Sequence, residues 1–190
     1  MFIQTEATPN PATLKFLPGQ VVMDAGTADF RDASTASAKS PLAAKLFSVD
    51  GVTGVFFGYD FVTVTKQDSL DWAHLKPAIL AAIMEHFMAG QPVMDAGSSG
   101  DVDDLPKEEF FDEGDESIVE TIKELLETRV RPAVAQDGGD ITFRGYKKGT
   151  VFLHMKGACA GCPSSTATLK HGIQNLLHHF IPEVEQVEPV

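Results

Sequence analysis

Cysteine is nearly absent from this 190-residue chain. Only positions 159 and 162 carry it, which excludes a disulfide-framework protein and points to thiol chemistry instead. Basic residues are short too. Fifteen Lys and Arg stand against 27 Asp and Glu, for a formal net charge of −12, a balance ill suited to nucleic-acid phosphates or anionic membrane surfaces. No long apolar run exists, since the richest stretch, Ala78–Met84, is far too short to span a bilayer. Met1–Glu6 lacks the basic start and apolar core of a signal peptide, so the sequence reads as a soluble protein that stays where it is made.

What is present suits a globular protein: 43% hydrophobic and 22% charged residues, with a length fitting one large domain or two small ones. The acidity is concentrated. Residues 91–116 hold ten Asp and Glu against one Lys, whereas residues 117–190 hold eight of each sign. Residues 90–116 also bring Gly, Ser and Pro, which is linker composition, and a coil of that length spans on the order of 25–30 Å. The chain is therefore expected to be α+β, with two small domains at 1–89 and 117–190 joined by an acidic flexible linker at 90–116. Phe110-Phe111 inside the acidic run is a candidate docking motif, set against the plainer reading of a solvated linker touching one domain loosely.

In the first domain, strands are expected at Phe2–Glu6 and Thr13–Leu17, and a hairpin at Val52–Phe57 and Phe61–Thr65. Asp24–Lys39 is small and polar and reads as loop. Ser40-Pro41 marks a helix entry, and Ser69–Met88 reads as helix from the spacing of Trp72, Leu75, Ile79, Ile83 and Phe87, with Pro77 either kinking it or starting its main part. No catalytic constellation shows. The second domain opens with Ser117-x-x-Glu120, a capping-box pattern. A stripe of Ile118, Ile122, Leu125, Leu126 and Val130 follows, with a fray or kink near Pro132. Gln136–Asp140 reads as a turn, Ile141–Tyr146 and Val151–Met155 as strands, Leu169–Phe180 as a helix and Val184–Val187 as a last strand. In the second of those strands, Val151, Leu153 and Met155 alternate with Phe152, His154 and Lys156.

The chemistry lies in Gly157-Ala158-Cys159-Ala160-Gly161-Cys162-Pro163-Ser164-Ser165. Two thiols two residues apart can ligate one metal centre from a single loop. Gly157 and Gly161 clear space beside each sulfur, and Pro163 suits a first helical position, making Cys162 the cap. There the helix dipole and free amides favour thiolate, and the amides can also donate to ligand sulfur or cluster sulfide, with Ser164 and Ser165 adding small donors. An iron–sulfur cluster normally takes four cysteine ligands. One chain supplies two, so a cluster here implies two chains, each giving Cys159 and Cys162, with the cluster exposed and transferable. A dithiol oxidoreductase and a zinc ion bridged by two chains are rival uses of the same pair. His171 lies nine positions beyond Cys162, roughly 13 Å of helical rise, too far for one mononuclear site. With His154, His178 and His179 it reads as a surface or packing residue. Asp137-Gly138-Gly139-Asp140 is a turn before it is a cation site.

Residues 117–190 closely resemble the C-terminal domain of the NifU family through Arg131-Pro132, Gln136–Asp140 and Gly157–Ser165. Residues 1–88 resemble the N-terminal domain of Nfu-type scaffold proteins through Phe2–Glu6 and Thr8–Phe16. The resemblance implies a non-enzymatic carrier. It would bind a [4Fe–4S] cluster across a homodimer, with Cys159 and Cys162 as ligands, receive it from an upstream donor and deliver it to apo-proteins. It implies no nucleic-acid or membrane partner. Longer NifU proteins carry a separate assembly domain with its own cysteines, which this sequence does not contain. Because Met1 opens directly onto the first domain, a bacterial cytoplasmic location is expected, with a mitochondrial matrix form as the alternative.

Overall fold

The structure is a computed structural model describing residues 1–98, 108–160 and 163–190, the side chains of 163–165 excepted. The chain divides into two units, Met1–Asp104 and Leu105–Val190. Each combines helices with a β-sheet, as an α+β protein should. Among the described residues no helix is long and apolar enough to cross a membrane.

The first unit is built on strands β1 (Gln4–Ala7), β2 (Thr13–Leu17), β3 (Ala28–Phe30), β4 (Val52–Phe57) and β5 (Val62–Lys66). They form an antiparallel sheet in the order β1-β2-β5-β4-β3. Strand alternation puts Phe16, Val55, Phe57, Val62 and Val64 in one buried cluster. Helices α1 (Ala33–Lys39), α2 (Pro41–Phe47) and α3 (Trp72–Met88) complete it, with Leu42, Leu46, Ile79 and Ile83 fully buried. Each such side chain contributes about 2 kcal/mol on burial. The neighbouring positions Lys15, Thr63 and Phe56 share a rung of the sheet. There the Lys15 ammonium lies 4.8 Å from the Phe61 ring centre and 3.5 Å from Glu6.

Helix α2 begins where the sequence places it, with Ser40 accepting from the Ala43 N–H at 3.0 Å and Pro41 at the first position. Helix α3 starts at the Asp71 cap and carries Pro77 inside it, so Pro77 does not begin the helix. The loop expected over Asp24–Lys39 is a correction. It contains β3, paired with Val55–Phe57, and α1, whose cap Asp32 accepts from the Thr35 N–H at 2.7 Å.

In the second unit a short 3-10 turn, Glu113–Asp115, leads into α4 (Glu116–Leu125). A wide π-turn over Leu126–Val130 then leads into α5 (Arg131–Gln136). The expected kink near Pro132 is this change of helical register just before the proline, which has no N–H to give the preceding turn. The capping box does not form, because the helix starts at Glu116 and Ser117 is already inside it.

Strands β6 (Gly139–Lys147) and β7 (Thr150–Gly157) make a hairpin closed by Lys148 and Gly149, both at positive φ (49° and 78°), the geometry that favours glycine. Helix α6 (Pro163–Phe180) follows, and β8 (Gln186–Pro189) lies parallel to β7 in a sheet ordered β6-β7-β8. Ile122, Ile141, Leu153, Leu177 and Val187 are fully buried between the helices and this sheet. Lys156, near the end of β7, is 1% exposed.

The end of the acidic segment is attached to this unit. Phe110 makes a parallel bridge with Gly145, its N–H donating to Arg144 O (3.1 Å) and its carbonyl accepting from Tyr146 N–H (2.9 Å). Its ring sits 5.1 Å from that of Phe152, in space that a side chain on Gly145 would fill. Glu109 pairs with Lys123. Phe110 thus touches the second unit through its backbone and ring while 45% exposed, and residues 99–107 of the acidic segment lie outside the described residues.

Candidate functional site

Cys159 lies in the loop between β7 and α6, and three features hold that loop. Gly157 takes a left-handed φ of 64° that turns the chain off the strand. The Ala158 N–H donates to Gly138 O at 3.2 Å, tying the loop to the turn before β6. The Thr166 hydroxyl donates to Cys159 O at 3.0 Å, tying it to the first turns of α6. The β6–β7 register pairs Gly139 with Gly157 and Asp140 with Lys156, so the Asp137–Asp140 segment lies directly against the cysteine loop.

The Cys159 side chain faces inward, 6% exposed and part of the second unit's core. Burial pushes its thiol up to about 12, with the charges of Asp137 and Asp140 adding to the effect. Burial thus favours the neutral thiol over the thiolate at this position. Thiolate stabilisation at a helix start was expected for Cys162, which lies outside the described residues, as does Gly161; helix α6 does begin at Pro163. The side chains of Ser164 and Ser165 likewise lie outside the described residues.

The carboxylate of Asp140 is held by Arg131, which donates to it from Nε (2.8 Å) and Nη2 (2.9 Å) and reaches Glu127 from Nη1 at 2.6 Å. Asp140 is 4% exposed. This charge-assisted pairing holds the arginine well above its ordinary pKa despite burial. The carboxylate of the would-be cation turn is thus bound to a guanidinium. Sequence reasoning found both residues in family motifs but did not join them, because the link crosses from the start of α5 to β6.

His154 and His178 place Nδ1 by the carbonyls of Val190 (3.1 Å) and Val184 (2.7 Å), while His171 and His179 are exposed. Among the described residues no three His, Cys, Asp or Glu side chains gather as a metal-holding group.

Comparison with known proteins adds a second line of observation. Residues 3–90 match the family described as "Scaffold protein Nfu/NifU N terminal", and residues 122–188 match "NifU-like domain". The "NFU1 iron-sulfur cluster scaffold homolog, mitochondrial" of Drosophila erecta is 53% identical over 192 residues, covering all of this chain and 65% of that protein. "NifU-like protein 4, mitochondrial" of Arabidopsis thaliana is 51% identical over 191 residues, covering 99% of this chain and 65% of that protein. The human protein named "NFU1 iron-sulfur cluster scaffold homolog, mitochondrial" is 50% identical over 191 residues, covering all of this chain and 72% of that protein. The chain thus spans about 65% of the length of the first two of these relatives.

Proposed function

We propose, starting from the fact that this chain belongs to the family of Nfu and NifU-like iron–sulfur cluster scaffold proteins, that it holds a [4Fe–4S] cluster between two copies of itself and passes it to apo-proteins. The cluster is cargo, received from an upstream donor, and the role is non-enzymatic. The observation that carries the reading is donor count. The sequence has two cysteines, at positions 159 and 162, and a cluster normally takes four thiolates. Two chains related by a twofold axis supply Cys159 and Cys162 twice over. Cys159 is presented from a loop tied to the turn before β6 and to α6, which favours a defined ligand position.

A bridged cargo is enclosed by neither chain, and that suits transfer. The names of all three relatives carry "mitochondrial", which supports the matrix alternative for this chain and does not support the bacterial cytoplasmic expectation. The first unit is proposed to contribute contacts to clients or donors.

Metal analysis after anaerobic reconstitution tests the reading, with Cys162→Ser as the comparison. Iron with matching sulfide in the wild type, and little in the variant, supports a cluster on these thiols. Zinc in place of iron supports the zinc-bridged dimer. A metal-free chain that reduces disulfides supports the oxidoreductase.

A further inference from the structure

A buried sulfur and a missing side chain occupy the same place in the second unit. An ideal Cβ built on Gly139 falls 2.6 Å from Cys159 Sγ, 2.7 Å from Lys156 O and 3.2 Å from Cys159 N. Non-bonded heavy atoms sit about 3.5–4.0 Å apart, so even one methyl group at 139 collides with the thiol and with backbone together. The space is local: Gly114 and Gly172 have nothing within 4 Å of such a Cβ, whereas Gly145 would meet the Phe110 ring and no sulfur.

Gly139 has little room to step aside. It stands at the last rung of the β6–β7 ladder, opposite Gly157. Its neighbour Asp140 is gripped through both oxygens by Arg131. Its other neighbour, Gly138, accepts a hydrogen bond from Ala158, one residue before the cysteine. Ladder, ion pair and loop hydrogen bond fix the slot from three directions, and the Cys159 sulfur is what fills it.

We infer that Gly139 is a positioning residue: its missing side chain forms the slot that seats Cys159 Sγ and so sets where one of each chain's two cluster ligands lies. The functional half of this inference rests on the scaffold reading above, whereas the slot itself rests on geometry. A side chain at 139 drives the sulfur out of its seat. Cys159 is one member of the buried cluster that includes Ile122, Leu153 and Leu177, so the fold of the variant is measured alongside its thiol.

The test uses the full chain with Gly139→Ala, and Gly145→Ala as control. The control places a collision with a side chain, the Phe110 ring, toward the other end of β6. In a metal-free Cys162→Ser background, modification of Cys159 by a thiol reagent is expected to speed up severalfold with Gly139→Ala and to stay unchanged with Gly145→Ala. With both cysteines present, iron affinity is expected to fall roughly tenfold or more with Gly139→Ala alone, the size of effect that displaced support around metal ligands produces. Unchanged reactivity and loading in Gly139→Ala, or equal losses in both variants, would overturn the inference.

If Gly139→Ala folds poorly, denaturation of Gly139→Ala in a Cys159→Ala background decides the matter. A smaller loss of stability there than in the wild-type background supports the slot, and an equal loss refutes it. Failure of the wild-type chain to take up iron and sulfide would sink the scaffold reading, while thiol reactivity and the mutant cycle would still judge the slot.

Discussion

His86 in the first unit and the Arg131–Asp140 pair in the second show how much the neighbours of a titratable group decide its behaviour. His86 is completely buried in α3, and burial, reinforced by the Lys45 charge, holds its imidazole below the ordinary value of 6.5. The unfolded chain takes up a proton near 6.5 while the folded chain resists it. The histidine therefore costs nothing above that pH and destabilises the first unit progressively as pH falls through 6.5 toward the folded value. Denaturant unfolding at pH 7.5 and 5.5 should show the loss, at most about 1.4 kcal/mol from this group. In His86→Leu that acid-side loss should be absent. Arg131 makes a different kind of contribution. Arg131→Ala removes two charge-assisted hydrogen bonds from a carboxylate that is 4% exposed, and should cost the second unit about 2–3 kcal/mol in unfolding measurements. Arg131→Lys should recover only part of this, since an ammonium cannot engage both oxygens in the same planar fork.

At the scale of elements, sequence patterns were most legible where side chains alternate or recur against a core. Thr13–Leu17 and Val52–Phe57 form strands over the expected residues, and Ser40-Pro41 starts its helix. The misses have physical reasons. Helix α1 is Ala-Ser-Thr-Ala-Ser-Ala-Lys with only Ala36 buried, so it has no apolar stripe to read, and β3 is three residues long and exists through pairing with β4. The capping box fails because the 3-10 turn at Glu113–Asp115 delivers the chain already coiled. Cys159 was legible as a candidate ligand, but its inward orientation was not, since it depends on the Gly139–Gly157 rung joining residues far apart in sequence.

The Phe110 attachment also belongs to this scale, because one aromatic residue gains a partner through the β6 edge. Phe110→Ala should lower the second unit's unfolding free energy by about 1–2 kcal/mol through lost ring burial and stacking. Lys123→Ala should change it by less than about 1 kcal/mol, the usual yield of a partly exposed pair such as Lys123–Glu109. A Phe110→Ala chain as stable as wild type would show that the bridge adds nothing.

For the molecule as a whole, two observations meet: each chain offers two cysteines, and the loop holding Cys159 is tied to the turn before β6 and to α6. If cargo joins the chains, its removal should part whatever the cargo alone holds together. Chelation of iron is accordingly expected to shift the loaded dimer toward smaller species in sedimentation, with the fold retained by circular dichroism, since each unit has its own core. The most direct measurement is native mass spectrometry of the anaerobically reconstituted chain, which weighs protein and cargo in one particle. The account predicts two chains carrying about four iron and four sulfide. A cluster on a single chain, or a dimer of loaded mass that persists with both Cys159 and Cys162 replaced by serine, would contradict it.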